Sequence, residues 1–219
     1  MLISDSDNSE LISLEKAIKI FESLSSSNIN SLNPYYTYLE TIDGSENGKP
    51  IFWKYNEGNE ILLYSFILKK LPNDICTEKL LYDISGPYGY CCPIANSIRE
   101  IFLENAYSEF NRWALKNKIF LEFLKFHPLI HPIFRKTWCK KNGNLYLNRK
   151  TVSMDLDKKD LLLNFRPRLR TYVRKLLREN QFKLYDSKNP SSTKIITFRE
   201  MYFSHMRLIN AKDEYFFSK

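Results

Sequence analysis

From Ser13 onward the apolar residues Leu14, Ala17, Ile18, Phe21 and Leu24 recur every three or four positions, the spacing of one helix face. They predict a helix ended by the serine run Ser25–Ser27 and the stretch Asn28–Pro34, with residues 1–10 as a frayed tail. The pattern then changes. Tyr35–Ile42, Pro50–Tyr55 and Glu60–Lys69 are aromatic and β-branched runs separated by the turns Asp43–Gly48 and Asn56–Asn59. Three such runs joined by two turns predict an antiparallel meander.

Helical spacing returns in Asn96–Asn117, where Ile98, Ile101, Phe102, Ala106, Phe110, Trp113 and Ala114 share a face and Asn96 or Ser97 is placed to cap it. Ile119–Phe126 reads as a buried strand ended by His127-Pro128, followed by a loop containing Trp138, Asn142 and Gly143. Lys150–Leu156 alternates like a strand. Asp157 caps a helix that Pro167 either breaks or restarts, running to about Asn180. A short strand Gln181–Tyr185, a polar linker Lys188–Thr193 and a last helix opened by the capping box Thr197–Glu200 complete the chain. The order predicts a mixed α/β (α+β) fold.

Between the meander and the long helix lies Tyr82–Ile94, Y-D-I-S-G-P-Y-G-Y-C-C-P-I. Gly86-Pro87 and Gly89 are strong turn formers, and Tyr88 and Tyr90 line the bend, which suits either a tight structural turn or a binding loop.

Composition adds three constraints. A hydrophobic content of 43% over 219 residues is ample for a core and excludes global disorder. A formal net charge of +8 and a pI of about 9.2 favour anionic partners: phosphates, nucleotides, tRNA or a membrane surface. Cys76, Cys91, Cys92 and Cys139 have neither C-x-x-C nor zinc-site spacing and read as reduced thiols of a cytoplasmic chain; no metal site is expected. The first ten residues are acidic and lack the regions of a signal peptide, and the longest apolar run, Ile61–Leu68, is too short to span a bilayer.

The sharpest charge pattern is Arg166, Arg170, Arg174 and Arg178, four residues apart along a helix whose other face is Leu169, Tyr172, Val173, Leu176 and Leu177. Like charges at this spacing repel, and only Glu179 offsets them, so the stripe fits either an anion partner held by forked guanidinium contacts or a solvated basic face. His127 and His131 have the spacing of a helical metal pair, but Pro128 and Pro132 argue against a regular helix there. His127 at a strand end suits a hydrogen-bonding or acid–base role. The chain has no G-x-G-x-x-G, Walker A, H-E-x-x-H or G-x-S-x-G motif.

P-I-F-W-K-Y (Pro50–Tyr55), Y-D-I-S-G-P-Y-G-Y (Tyr82–Tyr90), F-L-K-F-H-P-L (Phe123–Leu129), T-V-S-M-D-L (Thr151–Leu156), R-x-x-x-R-K-L-L-R (Arg170–Arg178) and the run Phe198–Phe217 occur in an order that resembles the N-terminal half of a FemAB-type, GNAT-like acyltransferase. The resemblance implies two GNAT-like halves, each a mixed, largely antiparallel sheet flanked by helices, with the active site in the cleft between them. It implies a first half over residues 1–187 and, over 188–219, a linker and the first helix of an incomplete second half, so that the chain is truncated or pairs with a missing half or as a homodimer. It also implies transfer of an acyl or aminoacyl group from acyl-CoA or aminoacyl-tRNA to an amine of an anionic, sugar-nucleotide-linked or peptide-linked cell-wall or surface-polysaccharide precursor. Tyr88, Tyr90, Phe126 and His127 fall near the implied cleft, and Arg170 and Arg174 near the linker. With Asp83 and Gly89 of the same motif, these are the candidate substrate-binding residues. The glycine-rich pyrophosphate loop of coenzyme A-binding relatives has no counterpart here, since Gly143 is the one glycine after residue 89. The alternatives are a non-catalytic anion- or RNA-binding module and a degenerate remnant whose exposed apolar seam favours self-association.

Overall fold

A computed structural model describes residues 8–24, 29–42, 48–72, 81–140, 143–152, 161–180 and 191–216. The chain divides into two units, Met1–Asn148 and Arg149–Lys219; the boundary expected at 187 lies outside the described residues.

In the first unit, β1 (Ser9–Leu11) leads into α1 (Leu14–Ser23), α2 (Pro34–Ile42), β2 (Gly48–Glu57), β3 (Glu60–Lys70), β4 (Tyr82–Ser85), β5 (Ile94–Ala95), α3 (Glu100–Lys116), β6 (Ile119–Glu122) and α4 (Pro132–Cys139). Among the described residues six strands form one mixed, mostly antiparallel sheet in the order β1-β2-β3-β4-β6, with β5 added to β3. The β2–β3 hairpin turns at Gly58–Asn59, within the expected turn Asn56–Asn59 but two residues tighter, with Gly58 at φ 60°. β1 extends the sheet by pairing Ser9 with Tyr55, which corrects the reading of residues 9 and 10 as tail.

The α1 helix follows its pattern: the Lys16 N–H donates to the Ser13 cap and Ala17 and Phe21 are buried. Tyr35–Ile42, expected to be a strand, is helix α2 instead. Pro34 stands in its first turn, and the Tyr35 N–H donates to Asn33 Oδ1 at 2.9 Å, so start signals override the β-propensity of Y-Y-T-Y. α3 begins at Glu100 with Arg99 as its cap residue, because Asn96 and Ser97 are engaged elsewhere. Ile98 and Ile101 are exposed rather than core; the buried face is Phe102, Leu103, Ala106, Tyr107, Phe110, Trp113 and Ala114.

Aromatic packing joins α3 and α4 to the sheet. Phe110 stands edge-on to Trp53, Tyr64 and Phe66 with ring centroids 5.1–5.9 Å apart, and Trp138 packs against Tyr64, Tyr107 and Phe110. Trp138 therefore belongs to a helix, not a loop: Pro132 occupies the first turn of α4 and His131 Nδ1 accepts from the Ile133 N–H. β6 is shorter and more open than its apolar sequence implies. Ile119 is buried, whereas Phe120 and Phe123 are 69% and 72% exposed at the sheet edge. Residues 143–152 have no regular structure, and the rest of the strand expected over Lys150–Leu156 lies outside the described residues.

In the second unit, α5 (Pro167–Arg178) starts at the proline, and α6 (Ser192–Leu208) starts at Ser191. The expected capping box at Thr197 is inside α6, where Thr197 Oγ1 donates back to the Thr193 carbonyl. The strand expected at Gln181–Tyr185 lies outside the described residues.

Candidate functional site

Among the described residues β4 and β6 are the one parallel pair of the sheet, with α3 as their crossover. Parallel strands send both carboxyl ends, and the loops that follow, to the same side. The loop after β4 carries Gly86–Tyr90 and the loop after β6 carries Phe123–Leu129, so two stretches far apart in sequence meet in space. The Cys91 N–H donates to the Lys125 carbonyl at 3.0 Å, and the Tyr90 and His127 rings meet edge to face at 4.6 Å.

The bend is specified by close approach as much as by turn preference. A Cβ on Gly86 would lie 2.0 Å from Cys91 Cβ, so the chain doubles back on a backbone that has no side chain there. Gly89 has φ 117° with open space around it, a conformation that L side chains rarely adopt. Tyr88 at the tip is 86% exposed, while Tyr90 and Phe126 are half-buried against the core. Behind the bend a cavity of about 10 Å³, room for one water, is lined by Asn33, Thr37, Ser65, Tyr90, Cys91 and Cys92 among others. A ligand of any size therefore has to lie on the open rim.

His127 is half-buried, and desolvation lowers its pKa, favouring the neutral ring. Its Nδ1 accepts from the Leu129 N–H at 3.2 Å, which places the ring proton on Nε2. Asp83 sits inside β4, opposite Lys69 on β3 and Leu121 on β6, and is half-buried. Arg170, half-buried, and Arg174, exposed, belong to α5 of the second unit. The structure thus brings Tyr90, Phe126 and His127 together, with Tyr88 and Gly89 on the adjoining tip.

Beside this rim is a residue that the sequence reading passed over. Glu122 ends β6, and its Oε1 accepts from both the Tyr64 hydroxyl, at 2.8 Å, and the Trp138 indole N–H, at 3.1 Å. The residue as a whole is exposed, but its carboxyl group is turned into this aromatic cluster, and burial raises the carboxyl pKa against the two donors that lower it. The only trace in the sequence is a single acid in an otherwise apolar run, I-F-L-E-F-L. Burial also raises the Cys91 thiol well above its usual range and pushes Cys92 up to about 12, so neither is an activated nucleophile.

The start of α3, a helix N-terminus of the kind that can hold a pyrophosphate, is already charged. Arg99 is ion-paired with Glu57 and Glu60, and Glu100 stands in the first turn. Three carboxylates around a helix N-terminus that lacks glycine do not fit a pyrophosphate. Among the described residues no group of three or more His, Cys, Asp or Glu side chains is placed to hold a metal ion, and no helix is long and apolar enough to cross a membrane. Comparison of the chain with protein-family models, with curated proteins and with solved structures gives no match in any of the three.

Proposed function

We propose that the chain is an aminoacyl- or acyltransferase of the FemAB kind, acting on an amine of a cell-wall or surface-polysaccharide precursor at the rim formed by residues 86–91 and 123–129. One observation carries the reading. The two stretches on which the resemblance chiefly rests lie ring to ring, Tyr90 on His127, at the carboxyl ends of the parallel pair β4–β6, the side on which open parallel α/β sheets receive ligands. The sheet, mixed and largely antiparallel with helices on its faces, agrees with a GNAT-like half.

In this reading the acceptor amine attacks the ester carbonyl of an aminoacyl-tRNA, the C–O bond to the terminal ribose breaks, and the proton leaving the nitrogen passes to a base and on to the departing ribose oxygen, which leaves as a hydroxyl. No covalent nucleophile is needed. Glu122 is the proposed proton acceptor, because partial burial makes its carboxylate more basic than an ordinary one. Nε2–H of His127 is the proposed donor to the developing oxyanion, since Nδ1 is occupied. The carboxylates at the start of α3 favour aminoacyl-tRNA over acyl-CoA as the donor.

The test is turnover by the purified chain with aminoacyl-tRNA or acyl-CoA in separate arms, against amine-bearing sugar-nucleotide and peptide precursors, with products read by mass spectrometry. Product with aminoacyl-tRNA, and a fall of about 10²–10⁴ in kcat for Glu122→Gln, is the expected result. Absence of product in every arm overturns the proposal, and steeply salt-dependent RNA binding without turnover replaces it with the binding-module reading.

A further inference from the structure

Helix α5 separates its charge from its apolar surface along its whole length. At about 100° per residue, Leu169, Tyr172, Val173, Leu176 and Leu177 occupy one arc of about 140°, and Arg168, Arg170, Arg174, Lys175 and Arg178 fill the opposite arc. No acidic residue lies between Arg166 and Arg178. In an ordinary surface helix the apolar arc is covered by the core. Here none of its residues is buried, and Tyr172, the largest, is 58% exposed. Leu163, in the turn just before the helix, is exposed as well.

On the flank where the two arcs meet, Arg168, Lys175 and Arg178 stand beside Leu169 and Tyr172 around an open concavity of about 720 Å³. Cations next to an aromatic ring and aliphatic side chains match the layered chemistry of a bilayer interface, in which phosphates lie above acyl chains and tyrosine rings sit at the boundary. A polynucleotide would satisfy the arginines but would leave the aliphatic arc in water. An unmixed cationic arc complements a negatively charged leaflet.

We propose that α5 is an interfacial helix that docks the chain on anionic membrane surfaces, lying in the plane of the headgroups with Leu169, Tyr172 and Leu177 inserted. This is independent of the transferase reading.

The experiment is co-sedimentation of the full chain with vesicles of phosphatidylcholine alone or of equal parts phosphatidylcholine and phosphatidylglycerol, with an RNA-binding titration in parallel. Binding at least tenfold tighter to the anionic vesicles is expected, lost at least tenfold in Arg170→Glu/Arg174→Glu and, separately, in Leu169→Asp/Leu177→Asp. All four positions lie outside the sheet unit, and far-UV circular dichroism verifies that the variants stay folded. Equal binding to both vesicles, or to neither, overturns the proposal. So does RNA binding that responds to the arginine pair while the leucine pair has no effect in any arm, which makes α5 a polyanion site instead.

Discussion

The Tyr64 hydroxyl and the Glu122 carboxylate are joined by a 2.8 Å hydrogen bond that runs from a fully buried side chain of central strand β3 to the exposed edge of the sheet. Trp138 donates to the same oxygen, so one edge acid satisfies two buried donors. Replacing Glu122 by Ala leaves both stranded and is expected to destabilise the first unit by about 1–3 kcal/mol per donor, read by urea unfolding.

Gln at the same position keeps an acceptor and removes the titration. Burial raises the folded-state pKa of Glu122, so the folded state holds this proton more tightly than the unfolded chain does. The resulting stability is complete below the ordinary carboxylate range and is lost as pH rises through the raised value. The melting temperature of Glu122→Gln relative to wild type is therefore expected to improve as pH rises from about 4 and to level off above the raised value. A pH-independent difference would mean that the carboxyl titrates normally.

His127 runs the other way. Desolvation lowers its pKa, so its contribution to stability is present above the usual imidazole range and falls away as pH drops through the lowered value. In an NMR titration its ring signal should turn at lower pH than those of an ordinary histidine, and the Leu129 amide, which donates to Nδ1, should move with it.

The two glycines of the bend should fail differently. Gly86→Ala drives a Cβ into Cys91 and is expected to cost about 1–3 kcal/mol with displacement of the Tyr90–His127 contact. Gly89→Ala meets nothing and carries only the strain of its positive φ, also of order 1–3 kcal/mol, without moving that contact. Chemical shifts of the Tyr90 and His127 rings separate the two cases.

Thiol labelling provides a fifth check. In a Cys76→Ser background Cys139 should react before Cys91 and Cys92: desolvation raises all three thiols, but Cys139 is only half-buried while the other two are buried. Equal rates in the native protein would mean that the bend opens on the labelling timescale.

Much of this architecture is written in local pattern. The faces of α1 and α3, the β2–β3 hairpin and the proline start of α5 follow from spacing and turn chemistry that act within a few residues. The misreadings have two causes, a start signal just upstream in one case and a place at the sheet's edge in the other. Y-Y-T-Y-L looks extended until Asn33 and Pro34 start a helix, and I-F-L-E-F-L looks buried although it forms the sheet's edge. The meeting of Tyr90 with His127 was visible only as two motifs in order; the parallel pairing of β4 with β6 turns order into contact. Glu122 left no local signal beyond a lone acid in an apolar run, because its donors come from β3 and α4.

The bend is fastened on both flanks: before it at Ser85, paired with Ile67 of β3, and after it at Cys91, whose N–H donates to the Lys125 carbonyl. The span from Pro87 to Tyr90 thus hangs from two fixed posts. A segment mounted in this way can take other side chains at Tyr88 and its neighbours without disturbing the frame that carries it.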